Sequence, residues 1–227
     1  MADTPLTHIG FIADGNRRWA RSRGLPTLEG HRRGFNKVEL IIDELKDTEV
    51  KYVSFFLFST ENWGRSPEEV AYLMDLVRSK IDQLTKRYAK ENVRIVICGR
   101  PEPVAPDLWA KLMKAEADTK DNTGLTVCVC FNYGGQWEIA DAATRAVAAG
   151  ETQLTPETFR QYLYHPEVPD LDLVVRTSGE ERISGFQLWR AAYAEMLFID
   201  KHFPEIDQGD CAEFLENFHQ RGRRFGK

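Results

Sequence analysis

The feature that most constrains this chain is an alternation along its length: short runs of β-branched and aromatic residues separated by longer segments with helical spacing. The runs Ile9 to Ala13, Tyr52 to Phe58, Val93 to Cys98, Leu125 to Phe131, Leu173 to Val175 and Met196 to Ile199 read as strands. Between them, His31 to Lys46 sets Phe35, Val38, Ile41, Ile42 and Leu45 three and four residues apart, which places them on one helix face. Pro67 to Lys90 opens with proline and two glutamates, a helix N-terminal pattern, and carries Val70, Leu73, Met74, Leu76 and Val77. Pro106 to Lys120, Trp137 to Ala149, Thr155 to Tyr162 and Asp210 to Arg221 read as further helices, and the stretches around Gly150 and from Pro166 to Pro169 as loops. Strands joined through helices of this length pair in parallel by right-handed crossovers, with helices on both sheet faces. The expectation is an α/β fold: a single domain over residues 1–227 with a roughly six-stranded, mainly parallel sheet.

Composition then removes whole classes. With 227 residues, 42% of them hydrophobic, the chain can bury a core without a disulfide or metal staple. Its apolar runs, such as Val53 to Phe58 broken by Ser54, fall far short of the roughly 20 residues of a membrane span. Met1 to His8 is polar and interrupted by Pro5, unlike a secretion signal. Cys98, Cys128, Cys130 and Cys211 are sparse and lack paired metal spacing, so free thiols in a reducing cytoplasm are expected, with no zinc. The net charge of -5 argues against a nucleic-acid partner, yet local arginine clusters still suit a phosphorylated small molecule.

Ligands of open α/β sheets lie beyond the carboxyl ends of the strands. Those ends carry Asp14-Gly15-Asn16-Arg17-Arg18-Trp19, Ser59-Thr60-Glu61-Asn62-Trp63-Gly64-Arg65, Asn132-Tyr133-Gly134-Gly135, and Arg176 through Ser184. Neither a Walker loop nor a dinucleotide fingerprint is present. Asp14-Gly15-Asn16 is placed to offer backbone N–H groups to a phosphate, and Asp14 reads either as a helix cap or as the ligand of a magnesium ion bridging to a diphosphate. Arg176, Arg182 and Ser184 read either as a second phosphate site or as ion pairs with Glu180 and Glu181. His31 reads as a phosphate or proton contact or as a structural histidine; His8, His165, His202 and His219 read as structural. No serine or cysteine stands in a nucleophile motif. Two phosphate-competent loops, one carboxylate and an apolar interior point to a reaction joining two phosphorylated apolar molecules.

Taken together, these residues resemble a known family. His8 to Ala20, with Asp14-Gly15-Asn16-Arg17-Arg18-Trp19-Ala20, resembles the first signature of the cis-prenyltransferases, the undecaprenyl diphosphate synthase family. Gly30-His31-Arg32, Phe58 to Arg65, Asn132 to Gly135 and Asp172 to Glu195 resemble its later elements in order and spacing. The resemblance implies a tunnel-containing fold in which isopentenyl diphosphate condenses with an allylic diphosphate, geranyl or farnesyl, to give a Z-polyprenyl diphosphate. It implies catalytic roles for Asp14, Asn16, His31 and Asn62. The allylic diphosphate would meet Gly15, Asn16, Arg17, Arg18, Trp19, Arg23, His31, Ser59, Trp63 and Arg65; Phe58, Ser59, Asn62, Trp63, Arg65 and Glu69 would order a loop over the substrates. Isopentenyl diphosphate would meet Arg176, Arg182 and Ser184, and magnesium would sit on Asp14 with Glu195. It also implies a homodimer whose tail, Arg221 to Gly226, helps complete the neighbour's site, and transient membrane contact at product release.

Departures from the family pattern sharpen the expectations. Ala13 stands where methionine is common, Gly185 where asparagine is frequent, and Thr27 where many bacterial members have an arginine, a loss that Arg21, Arg23 or Arg32 could make good. Leu57 stands where long-chain members often have alanine on a strand lining the tunnel. Its bulk predicts a shorter tunnel and, as the alternative to an undecaprenyl product, a chain of about C15 to C35. A non-catalytic partner subunit is the remaining reading, opposed by the retention of Asp14, Asn16, Arg18, His31, Arg176, Arg182 and Glu195.

Overall fold

A computed structural model describes residues 5–221. In chain order the strands are β1 (His8–Ile12), β2 (Tyr52–Ser59), β3 (Arg94–Cys98), β4 (Thr126–Tyr133), β5 (Leu173–Arg176) and β6 (Glu195–Phe198). The helices are α1 (Asn16–Ser22), α2 (Thr27–Leu45), α3 (Pro67–Lys90), α4 (Pro106–Thr119), α5 (Gly135–Ala148), α6 (Pro156–Arg160) and α7 (Asp210–Gln220), with 3-10 turns over Thr60–Gly64 and Phe203–Glu205. The sheet runs β3-β4-β2-β1-β5-β6, and every pairing is parallel. The expected α/β architecture holds, with six strands and a sheet that is wholly parallel.

Period-two alternation decides which side each strand residue covers. Ile9, Phe11, Val53, Phe55, Ile95, Ile97, Val127, Phe131, Leu173 and Val175 share one core with Val38, Ile41 and Leu45 of α2, Leu108 and Leu112 of α4, and Phe214 and Phe218 of α7. Phe11 and Phe55 stack across adjacent strands with ring centres 5.5 Å apart. The fully buried Ile41 anchors α2 here, and truncation to alanine would cost about 2–5 kcal/mol. The opposite face carries Ile12, Val96, Cys98, Cys128, Cys130 and Val174. It is covered by Tyr164, Val168, Leu171, Phe186 and Ala191, which lie in the stretch between α6 and β6. All four cysteines are buried and free.

Two local features shape the site. The β2–β4 register shifts between Phe56 and Phe58, so Leu57 and its neighbour Phe58 both pack into the core under α2 and α3, where strict alternation would have separated them. The helix expected from His31 starts at Thr27, because Pro26 is extended and Glu29 suits a first turn. His31 therefore lies a full turn inside α2, and α1 forms a separate short helix after β1.

Candidate functional site

Asp14 follows β1 at the carboxyl rim of the sheet, between the strands that bring in Arg176 and the 59–65 turn. Its main chain is fixed from two directions. The amide donates to Thr177 Oγ1 at 3.0 Å, and the carbonyl accepts from that hydroxyl at 2.7 Å and from the Phe203 amide at 3.0 Å. Gly15, at φ 95°, follows in the left-handed region; a Cβ there would lie 1.9 Å from Ser178 Oγ. The Asp14 carboxylate accepts from Arg176 Nη2 at 2.8 Å and from the Gly15 amide at 2.6 Å, with Arg18 Nη2 at 3.3 Å. Burial pushes its pKa up, but the hydrogen bonds from Arg176 and Gly15 and the arginine charges outweigh this and hold it below the usual carboxylate range. Asp14 is thus an ionised carboxylate wedged among cations.

Two polar cavities meet at Asp14. The first, about 270 Å³, is lined by Asp14, Gly15, Asn16, Arg17, Arg18, Arg21, His31 and Arg65. Behind it, His31 Nε2 lies 2.9 Å from Glu69 Oε1, Arg65 donates to the same oxygen at 3.0 Å, and Arg17 Nε is 3.7 Å from Oε2. Burial lowers the His31 pKa against the pull of Glu69, so the neutral ring carries its proton on Nε2 and donates it to the carboxylate. Asn16 donates to the Ala13 carbonyl at 3.1 Å, while its buried Oδ1 has no hydrogen-bond partner. That oxygen presses against α2 at Gly34, where a Cβ would sit only 2.1 Å away.

The second cavity, about 350 Å³, is lined by Ile12, Ala13, Asp14, Phe56, Ser59, Glu61, Asn62, Arg65, Arg176 and Ser184. Arg176 is buried, donates to Ser184 Oγ at 2.8 Å and to the Arg182 carbonyl, and leaves its Nε without a partner. Asn62 Oδ1 accepts from the Ser59 amide at 3.1 Å and so shapes the turn that borders the cavity. A third space is an apolar cleft of about 60 Å³ between α2, α3 and β2, lined by Phe35, Val38, Leu57, Phe58, Leu73, Leu76, Val77 and Phe131, with Ala13, Asn16 and His31 also on its wall. Ala13 alone lines all three. Two cation-rich cavities and an apolar cleft meeting at one point can hold two diphosphates and a hydrocarbon chain.

The family model described as putative undecaprenyl diphosphate synthase matches residues 12–226. The chain belongs to this family. It is 44% identical over 223 residues to an isoprenyl transferase of Thermotoga maritima, covering 96% of each chain. It is 43% identical over 229 residues to the trans,polycis-polyprenyl diphosphate synthase ((2Z,6E)-farnesyl diphosphate specific) of Thermobifida fusca, covering 96% of this chain and 80% of that one. Among solved structures, lavandulyl diphosphate synthase from Lavandula x intermedia in complex with dimethylallyl diphosphate superposes with a TM-score of 0.93 at 29% identity, covering 97% of this chain and 98% of that one. A probable undecaprenyl diphosphate synthase from Campylobacter jejuni gives a TM-score of 0.82 at 28% identity, covering 99% and 100%. This chain is therefore an isoprenyl transferase of the cis-prenyl diphosphate synthase type.

Within this family frame, several expected contacts lie elsewhere. Trp19 is buried, with Arg23 4.8 Å and Arg33 5.5 Å from its ring centre, so it packs the α1–α2 junction and does not face a phosphate cavity. Arg23 is held by Glu205 at 2.8 Å. Trp63 donates to Asn132 Oδ1 at 2.8 Å and packs edge-on against Phe58, which ties the turn to β4. The Arg182 guanidinium is largely exposed and paired with Glu180; only its carbonyl takes part, through Arg176. Glu195 does not stand beside Asp14 within one chain. It pairs with Leu173, which pairs with Ile9, so Asp14 is five residues further along the strand direction, roughly 16 Å away. No single cation can bridge the two within one chain. Arg221 Nη1 lies 3.8 Å from Glu195 and donates to the Met196 carbonyl; residues 222–226 of the expected tail lie outside the described residues.

Sequence reasoning missed Thr177 and offered Arg21 only as one of three arginines able to make good the loss at Thr27. Arg21 stands one helical turn beyond Arg17, a spacing legible once α1 is recognised as a helix. Another cavity, about 540 Å³ and larger than those that meet at Asp14, is not at this site. It lies beyond β3, lined by residues including Arg100, Trp109, Glu116, Asp141, Arg145, Tyr164 and His165. Arg100 pairs with Asp141 at 3.3 Å and His165 with Glu116 at 3.2 Å, so those two cations are already matched. No described helix is long and apolar enough to cross a membrane. Among the described residues no group of three or more His, Cys, Asp or Glu could hold a metal.

Proposed function

We propose that this chain extends an allylic diphosphate, geranyl or farnesyl, with isopentenyl diphosphate to give a Z-prenyl diphosphate. The observation that carries the reading is Asp14, an ionised carboxylate shared by two cation-lined cavities at the mouth of an apolar cleft. The allylic diphosphate occupies the cavity lined by Arg17, Arg18, His31 and Arg65, with its hydrocarbon tail in the cleft. Isopentenyl diphosphate occupies the cavity lined by Arg176 and Ser184. The reacting carbons then meet over Ala13. As the allylic C–O bond breaks, the arginines stabilise the charge gathering on the departing diphosphate. The isopentenyl double bond forms the new C–C bond, and loss of a proton from its C2 leaves a cis double bond. Asn16 and the Asn62-capped turn hold the walls of the cavities. His31, kept neutral, positions Glu69 and Arg65.

The residues fit magnesium. One ionised carboxylate between two diphosphates suits a cation bound largely through phosphate oxygens and water. Asp14 would hold it, and the metal when bound would offset charge on the diphosphates.

A second reading, a short- or medium-chain product, is favoured by the narrow cleft at Leu57 and Phe58. Its free volume of about 60 Å³ is far below the 270 and 350 Å³ of the two cation-lined cavities. The half-exposed edge strand Glu195–Phe198, beside the exposed Tyr193, suits cover by a second copy, which supports a homodimer. The reading places the reaction in the cytoplasm, with brief membrane contact at product release. Chromatography of products from labelled isopentenyl diphosphate with geranyl or farnesyl diphosphate tests both readings. A labelled Z-prenyl diphosphate is expected, of short or medium length if the cleft governs. A predominantly undecaprenyl product overturns the second reading, and no labelled prenyl product overturns the first.

A further inference from the structure

The cavity beside α1 contains one guanidinium that the protein itself leaves unmatched. Arg18 pairs with Asp14 and, at 2.9 Å, with Glu180; Arg65 and His31 share Glu69; Arg17 approaches Glu69 at 3.7 Å. Arg21 also lines the cavity, and among the described residues its side chain makes no hydrogen bond or ion pair. Nearby arginines are engaged: Arg23 with Glu205, Arg32 with Glu29, and Arg33 over Trp19. Thr27, at the start of α2, lines none of the three spaces at the site.

We propose that Arg21 is a further substrate-binding residue that holds the distal phosphate of the allylic diphosphate. The assignment rests on reading this cavity as the allylic-diphosphate site. Ala13 marks where the hydrocarbon cleft opens, so the phosphate attached to the prenyl carbon lies beside Asp14 and Arg18. Arg21 stands about one turn further along α1, about 5 Å from that point, where the second phosphate extends. Its planar fork matches phosphate oxygens, and nothing has to be broken to free it.

Steady-state kinetics on the purified full chain, with Arg21→Ala and Arg21→Lys, test the proposal. Arg21→Ala raises the KM for the allylic primer about tenfold, the size of one exposed charge-assisted contact, and leaves kcat and the KM for isopentenyl diphosphate within about twofold. Arg21→Lys recovers most of the loss. Calorimetry with inorganic pyrophosphate shows a parallel weakening in Arg21→Ala. A merely structural role at the end of α1 would instead lower the unfolding midpoint and affect both substrates alike, which overturns the proposal. An unchanged primer KM also overturns it. A wild-type chain with no turnover would tell against prenyl transfer itself; the pyrophosphate titration then decides Arg21, with unchanged binding overturning its role and about tenfold weakening supporting it.

Discussion

Two stretches of the same sheet rim use charge in opposite ways. Beyond β3 and β4, charged groups bind the polypeptide to itself. Arg190 donates to Glu138 at 2.7 Å and to the Tyr164 and His165 carbonyls, Tyr133 donates to Glu138, and His165 lies between Glu116 and Glu167. Beyond β1 and β5, Asp14, Arg176 and the α1 arginines face cavities, and Asn16 Oδ1 and Arg176 Nε stay without partners. The first region holds the larger cavity, the second the proposed site. Buried polar groups left unpaired cost free energy, and two of the seven such atoms among the described residues, Asn16 Oδ1 and Arg176 Nε, flank Asp14 where the cavities meet, a signal that cavity size does not give.

This contrast can be broken by substitution. Arg190→Met removes one partner of a fully buried ion pair and leaves Glu138 uncompensated, so urea unfolding should show a loss of about 3–5 kcal/mol, with primer KM unchanged in the folded enzyme. A loss below about 1 kcal/mol would mean that the β3–β4 charges do not hold the fold.

Next in size is the pH dependence of that same region. Burial alone would lower the His165 pKa, but Glu116 and Glu167 raise it to about 9. A raised histidine contributes stability fully below its unfolded pKa near 6.5 and loses it as pH rises through about 9. The wild-type chain should therefore lose up to about 3 kcal/mol between those limits, and His165→Gln should flatten the profile. His8 has the opposite sign. It is fully buried, its Nδ1 donates to the Pro169 carbonyl at 2.9 Å and its Nε2 accepts from Ser54 at 2.7 Å, and burial lowers its pKa to about 4. Its contribution is present above pH 6.5 and disappears as pH falls toward 4. The smallest effect belongs to Arg145→Ala, on the wall of the large cavity: kcat and both KM values should stay within about twofold. A larger change would give that cavity a part in the reaction.

The fold was legible where side-chain period reports burial directly. The six strands and the long helices α2 and α3 emerged because their apolar residues recur at spacings of two or of three and four. The segments on either side of β5, from α6 to β5 and from β5 to β6, have no such period; Arg190 donates there to the Tyr164 and His165 carbonyls, and no further helix or strand forms in these described residues. Within the site, Asp14, Asn16, Arg18, His31, Arg176 and Ser184 line the cavities that meet at Asp14. Trp19, Arg23, Trp63 and Arg182 could not be separated from them in sequence, because a loop arginine or tryptophan looks the same whether it faces a ligand or a distant partner. Glu205, 182 residues from Arg23, decides the matter only in three dimensions. Glu195 illustrates the same limit, since strand register alone sets its distance from Asp14.

The most direct measurement of the central claim is transfer of labelled isopentenyl diphosphate to an allylic primer by Asp14→Asn beside the wild-type chain, with circular dichroism confirming that both are folded. The side chain keeps its shape and an acceptor for Arg176 but loses the charge shared by the two cavities. The account predicts a fall in kcat of at least about 100-fold. Turnover within about threefold of the wild-type value would contradict it.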